Sequence, residues 1–168
     1  MRLGGASSLG LCVLSLLAAC SNPPSAKDGS SGAATTVAAP ITAPTDAEKR
    51  AIVATLPTAY QRAYLDNGQS KLALCKSCHT IKQGEDSGVG PNLWGVFGRR
   101  AGSLAGFSYS SVMKALGVTW DADHINTWIT KPSAMVPGTK MTYAGMENPK
   151  DRIDVIAYLK TVTTAPPK

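Results

Sequence analysis

Two cysteines three residues apart, followed at once by a histidine, constrain this chain more than any other feature: Cys75-Lys76-Ser77-Cys78-His79. The chain has four cysteines in 168 residues. Cys12 lies within an apolar N-terminal run and Cys20 closes it, so only Cys75 and Cys78 are left for a folded domain. Thiols this close in sequence cannot staple distant parts of a fold. In a chain that begins with an export signal, a pair with no wider disulfide framework points to a different task.

The export signal is legible from the first residues. Arg2 precedes an apolar stretch from Leu9 to Leu17 that only Ser15 interrupts. That stretch is too short for a spanning helix and has the layout of a signal peptide over 1–19. It ends in Leu17-Ala18-Ala19-Cys20. Small residues before a cysteine resemble a bacterial lipobox, which makes Cys20 the expected lipidated first residue of the mature protein. The alternative is an ordinary small-residue cleavage site. Residues 20–45 are predominantly Ser, Ala, Pro, Thr and Gly, with Lys27 and Asp28 the only charges. Such a composition cannot bury enough surface to fold, so a disordered tether is predicted. As a flexible coil, its 24 residues from Ser21 to Pro44 span roughly 25–30 Å.

Residues 46–66 have helical composition broken at Pro57, and either extend the tether or pack as a short extra helix. The globular part is predicted over 67–168, about 100 residues with a modest core that a buried cofactor would help to fill. Its clearest helix is the last. Asn148 can cap it, Pro149 suits the first turn, and Asp151 sits near the positive end of the dipole. Val155, Tyr158, Leu159 and Val162 then form one apolar stripe. A second helix is predicted after Asp121, through Ile125, Trp128 and Ile129, stopping at Lys131-Pro132. A third runs from Gly68 to about Lys76. No run of alternating apolar residues stands out, so the fold class is all-α: a small helical domain with long loops.

Cys75-x-x-Cys78-His79 is the attachment signature of a c-type haem. On one helical turn, two thiols at this spacing can form thioethers with neighbouring vinyl groups of one porphyrin. The adjacent histidine is then held over the iron. Two rivals are weaker. A closed zinc site needs four N or S ligands, and only Cys75, Cys78, His79 and His124 remain after processing. A thioredoxin-like dithiol belongs in a βαβ unit, and none surrounds this pair. A second axial ligand must come from Met113, Met135, Met141 or Met146. A thioether is a soft donor that favours ferrous iron. Met141 is the preferred candidate because it closes Pro137-Gly138-Thr139-Lys140-Met141, a tight loop from which Thr139 can reach a haem propionate. Met135 is next.

These residues carry a family resemblance. From Gly68 to Leu159 the chain resembles a class I cytochrome c, mitochondrial-type or a related bacterial carrier. The motifs are Cys75-x-x-Cys78-His79-Thr80, Gly90-Pro91-Asn92-Leu93, Phe97-Gly98-Arg99-Arg100, Gly106-Phe107-Ser108-Tyr109, Trp120, the Pro137-to-Met141 loop, Ala144-Gly145 and Ile156-Ala157-Tyr158-Leu159. The resemblance implies a cytochrome c fold wrapped around one covalent haem c. It implies His79 and Met141 as iron ligands, with the Pro91 carbonyl accepting the Nδ1 proton of His79. It places Arg99, Tyr109, Trp120 and Thr139 around the propionates, and Gly68 at a crossing of the first and last helices.

Several positions depart from the family pattern. Trp128 stands where a tyrosine is usual, Met113 where a polar residue is usual, and Tyr143 replaces a phenylalanine. Leu74, Ser133 and Ala134 fall where lysines commonly ring the haem edge. His124 acquires no role. The resemblance implies a one-electron carrier with no catalytic constellation, expected as a monomer, and the Leu17-to-Cys20 run adds a lipid anchor in the bacterial periplasmic space, on an inner or outer membrane not specified. Its expected partners are redox proteins: a quinol-oxidising complex, a terminal oxidase or a dehydrogenase. Removal of 1–19 takes away Arg2 alone and leaves a net charge of +5, one below the +6 of the full chain. Without a Lys/Arg run, this gives no case for nucleic acid.

Overall fold

The computed structural model describes residues 43–165; the predicted signal peptide, Cys20 and most of the predicted tether lie outside them. Seven helices follow in order: α1 (Asp46–Val53), α2 (Thr58–Gln61), α3 (Leu65–Lys76), α4 (Ser111–Ala115), α5 (Ala122–Thr130), α6 (Pro132–Met135) and α7 (Pro149–Val162). Among the described residues, extended backbone pairs only at one bridge, Arg100 with Thr119.

The helix boundaries follow from their caps. Thr45 and Glu48 form a capping box at the start of α1: the Glu48 amide donates to Thr45 Oγ1, and the Glu48 carboxylate accepts from the Thr45 amide. Asp121 accepts from the His124 amide at 2.8 Å and starts α5. The helix stops at Lys131, whose extended backbone (φ −163°, ψ 92°) is what a following proline favours. Pro132 then opens α6, one short turn that sequence periodicity cannot reveal; α4, five residues long, escapes notice for the same reason. Asn148 caps α7 by accepting from the Lys150 amide at 2.9 Å, with Pro149 in its first turn.

Helix α7 is the centre of the molecule, packed against α1, α2, α3 and α5. Its buried face is therefore wider than a single stripe. Ile156 and Ala157 are as buried as Val155 and Leu159, while Tyr158 and Val162 are only partly covered. The crossing with α3 is close because Gly68 has no side chain. A Cβ there would run into the Asp154 carbonyl and lie 2.7 Å from Cβ of Tyr158. Polar contacts fix the crossing. Asp154, almost fully buried, accepts from the Tyr64 amide and from Asn67 Nδ2, each at 2.8 Å. A buried carboxylate is thus satisfied at the positive end of α3. Lys71 pairs with Asp151 at 2.8 Å one turn further along.

Helix α3 begins at Leu65, ahead of the Gly68 start predicted for it, because Tyr64 and Asn67 are already tied to Asp154. Upstream, Ile52, Val53, Leu56 and Tyr60 are all buried, and α1 and α2 share one core with the rest.

Candidate functional site

The site grows from the C-terminal turn of α3. Cys75 is the penultimate residue of the helix, and its carbonyl accepts from the amides of both Cys78 (3.1 Å) and His79 (2.9 Å). Ser77 at the cap donates its hydroxyl to the Leu74 carbonyl at 2.7 Å. This tight turn presents the half-buried Cys75 thiol and the exposed Cys78 thiol, not bonded to each other, beside the His79 ring. Burial pushes the Cys75 thiol above its ordinary pKa. A buried, protonated thiol is a poor nucleophile. Among the described residues no group of three or more His, Cys, Asp or Glu side chains could hold a metal ion.

His79 is fixed from the opposite side. Its Nδ1 lies 2.7 Å from the Pro91 carbonyl. Since a carbonyl only accepts, Nδ1 carries the proton and Nε2 keeps its lone pair for a metal. Burial lowers the His79 pKa and outweighs the Pro91 bond, with the nearby Arg99 charge adding to the lowering, so the ring is neutral at pH 7. Gly90 makes this approach possible, because a Cβ there would collide with the imidazole. The Gly90 amide donates to the Cys78 carbonyl at 2.8 Å, tying this loop to the end of α3. Two free thiols on one turn beside an imidazole with its Nε2 lone pair available are the donor set that a covalent haem requires. The residues fit the group.

Asn92 holds the loop in place, and nothing in the sequence marks it for this task beyond its position after Gly90-Pro91. Nearly fully buried, it donates Nδ2 toward Thr80 Oγ1 (2.8 Å) and the carbonyls of Lys82 and Glu85 (each 3.0 Å), and accepts from the Trp94 amide at 2.7 Å. Its own carbonyl accepts from Arg99 Nη2 at 2.8 Å.

The structure brings Arg99, Trp120 and Tyr109 together. The Trp120 amide donates to the Arg99 carbonyl at 2.9 Å, and the Gly98 amide donates to the Trp120 carbonyl at 2.7 Å. Tyr109 lies within electrostatic reach of Arg99; burial raises the phenol's pKa, and the guanidinium partly offsets this. Among the described residues Arg99 has no carboxylate partner. A half-buried cation left without an acidic neighbour suits a propionate.

Met141 sits on a loop whose geometry follows from its residues. The Thr139 amide donates to the Val136 carbonyl at 3.1 Å across Pro137 and Gly138, and Gly138 takes φ +83°. That is the pattern of a type II turn. Thr139 Oγ1 accepts from the Met141 amide at 3.2 Å, and Lys140 Nζ reaches the Ser108 carbonyl at 3.0 Å. The four candidate methionines separate by burial. Met113 and Met146 are core residues, whereas Met135 and Met141 are half-buried. Trp128 is half-buried against Trp120, with ring centroids 5.8 Å apart. His124 remains without a site role: its ring bonds Asp121 Oδ1 at 2.8 Å at the mouth of α5.

Comparison with known proteins places this geometry in context. The cytochrome c family model matches residues 61–163. A cytochrome c2 iso-2 of Magnetospirillum fulvum is 46% identical over 89 residues, which is 53% of this chain and 92% of that protein. A cytochrome c homolog of Rickettsia bellii is 40% identical over 106 residues, 63% of this chain and 61% of that protein. Among solved structures, cytochrome cH from Methylobacterium extorquens superposes with a TM-score of 0.54 at 43% identity, covering 58% of this chain and 97% of that one.

Proposed function

Because this chain belongs to the cytochrome c family, as a class I c-type cytochrome with one covalently attached haem c, we propose that it is a membrane-tethered shuttle, passing single electrons between respiratory complexes in the bacterial envelope. Members of the family are electron carriers and not enzymes, and their task requires redox partners. The observation that carries the site assignment is the His79 Nδ1–Pro91 bond beside two free thiols.

The haem, when bound, supplies a reversible one-electron iron couple. The chain does the rest. Cys75 and Cys78 would hold the porphyrin covalently, so that the cofactor is not lost outside the cytoplasm. His79, its ring oriented by Pro91, would bind the iron through Nε2. Met141, just after its type II turn, would be the second iron ligand and would discourage substrate or O₂ from reaching the iron. Arg99, Tyr109, Trp120 and Thr139 would receive the propionates.

Two further features support a tethered shuttle. Leu17-Ala18-Ala19-Cys20 followed by the polar 20–45 segment suits lipidation in the periplasm, and confinement of this kind raises the effective concentration of a domain near membrane partners. Beside the exposed Lys76 of the cysteine turn stand two exposed apolar side chains: Leu74 is 61% exposed and Val89, next to Gly90, is 83% exposed. A quinol-oxidising complex or a dehydrogenase as donor and a terminal oxidase as acceptor are the partner classes that this reading names.

Fractionation tests the tether. The wild-type protein is expected with membranes, its N-terminal peptide carrying acyl chains on Cys20, since stable anchoring takes more than one chain. Cys20→Ala should abolish the acylation and slow respiration in membranes without altering the domain's visible spectrum. Wild-type protein recovered wholly in the soluble periplasmic fraction with an unmodified Cys20 would overturn the anchor.

A further inference from the structure

Tyr60 lies just ahead of the family match, which begins at residue 61, on the α1–α2 extension. It is 3% exposed. Its hydroxyl has one proton to place between the Asp123 carboxylate at 2.8 Å and the Ala122 carbonyl at 3.2 Å. Both acceptors belong to the first turn of α5. Burial and the neighbouring Asp123 raise the phenol's pKa far above its usual value, so it is a donor at every pH at which the protein works.

The other end of α5 holds the chain that leads away from Met141. The Met146 amide donates to the Ile129 carbonyl at 2.8 Å. Gly145, at φ +118°, lies so close to the Thr130 carbonyl that no side chain fits between them. Arg152 of α7 completes the attachment. Its Nε donates to Asn126 Oδ1 at 2.8 Å, and its Nη1 to the carbonyls of Met146 (2.8 Å) and Glu147 (2.7 Å). A nine-residue helix, about 13 Å long, therefore has the extension fastened at one end and the Met141 strap at the other.

We propose that Tyr60 is a positioning residue: by pinning the start of α5 it holds the 136–147 strap closed, and the N-terminal extension thereby governs how often Met141 leaves its place. The consequence for the iron rests on Met141 as the sixth ligand; the mechanical part does not. A short rigid element with partners at both ends transmits loosening from one to the other, because a helix moves as a unit. Asp123 is solvent-exposed, so removing the hydroxyl strands no buried charge. The loss is that of one hydrogen bond to a solvated carboxylate, equivalent to roughly a three- to tenfold rise in strap opening.

The test uses the haem-loaded full chain and two variants. Tyr60→Phe keeps the buried ring and loses only the hydroxyl. Thr45→Ala undoes the α1 capping box, which has no contact with α5 among its hydrogen bonds. Amide hydrogen exchange is followed over 136–147, and imidazole is titrated into the ferric protein as a competitor for the sixth position. Tyr60→Phe should speed exchange of the strap amides by about three- to tenfold and tighten imidazole binding by the same factor. Thr45→Ala should speed exchange in α1 alone. Exchange raised only over 46–62 in Tyr60→Phe would overturn the proposal, as would equal strap exchange in the two variants, which marks a general loss of stability. Faster strap exchange with imidazole affinity unchanged would support the clamp and count against Met141 as the ligand.

Discussion

Met141→Ala is expected to abolish the sulfur-to-ferric-iron charge-transfer band and to lower the reduction potential by on the order of 100 mV or more, within the ~0.8 V that axial ligation spans. The direction follows from the donor: a thioether is soft and weak, favours ferrous iron and raises the potential, and alanine offers nothing in its place. The locality follows from the turn. Thr139 Oγ1 fixes the Met141 amide, and the Lys140 ammonium ties the neighbouring residue to the Ser108 carbonyl. Met113 and Met146 are committed to the core, leaving Met135 at the end of α6 as the only other half-buried candidate among the described residues. The check is an optical spectrum and a potentiometric titration of both alanine variants. A band that survives Met141→Ala and vanishes in Met135→Ala would transfer the assignment to Met135.

Gly68→Ala should be strongly destabilising. The added carbon would meet the Asp154 backbone carbonyl and come within 2.7 Å of Tyr158 Cβ. Both are fixed parts of α7, and Asp154 is further held by Tyr64 and Asn67, so relief requires the α3–α7 crossing to separate. Overpacking of this kind costs about 3 kcal/mol, the upper end of the usual range. For a domain of this size that is a fall in Tm of about 10 °C. Gly84→Ala is the comparison, since its Cβ meets nothing within 4 Å and suffers only from φ +77°, a cost of about 1 kcal/mol. Thermal unfolding of the two haem-loaded variants decides the matter. Equal Tm values would mean that the crossing is looser than the structure has it.

The parts of the molecule readable from sequence are those where one residue type has one physical reason. Asn148-Pro149 announced α7 because a side-chain acceptor and a residue lacking an N–H both suit a helix start. Asp121 and Lys131-Pro132 bracketed α5 in the same way. The cysteine motif was legible because thiol spacing and an adjacent histidine leave few other uses. The rest was hidden for definable reasons. α4 and α6 are too short to show a period. The buried face of α7 was underestimated because four helices surround it, a tertiary fact absent from any local window. Asn92, Arg152 and Tyr60 were missed as organisers because each serves backbone groups distant in the chain. A polar residue that satisfies loop carbonyls leaves no periodicity. Gly68 and Gly90 acquire their meaning only when the Asp154 carbonyl and the His79 ring are seen beside them.

We propose a one-electron carrier in which the protein supplies both iron ligands, His79 from one side and Met141 from the other. Spectroelectrochemical titration of the haem-loaded protein, with and without carbon monoxide, tests it most directly. The expected result is a single reversible one-electron wave whose midpoint and ferrous spectrum carbon monoxide leaves unchanged, because the sixth position is closed. A carbon monoxide complex of the ferrous protein, with its midpoint displaced upward, would show a labile sixth position and contradict the assignment of this protein as a closed electron carrier.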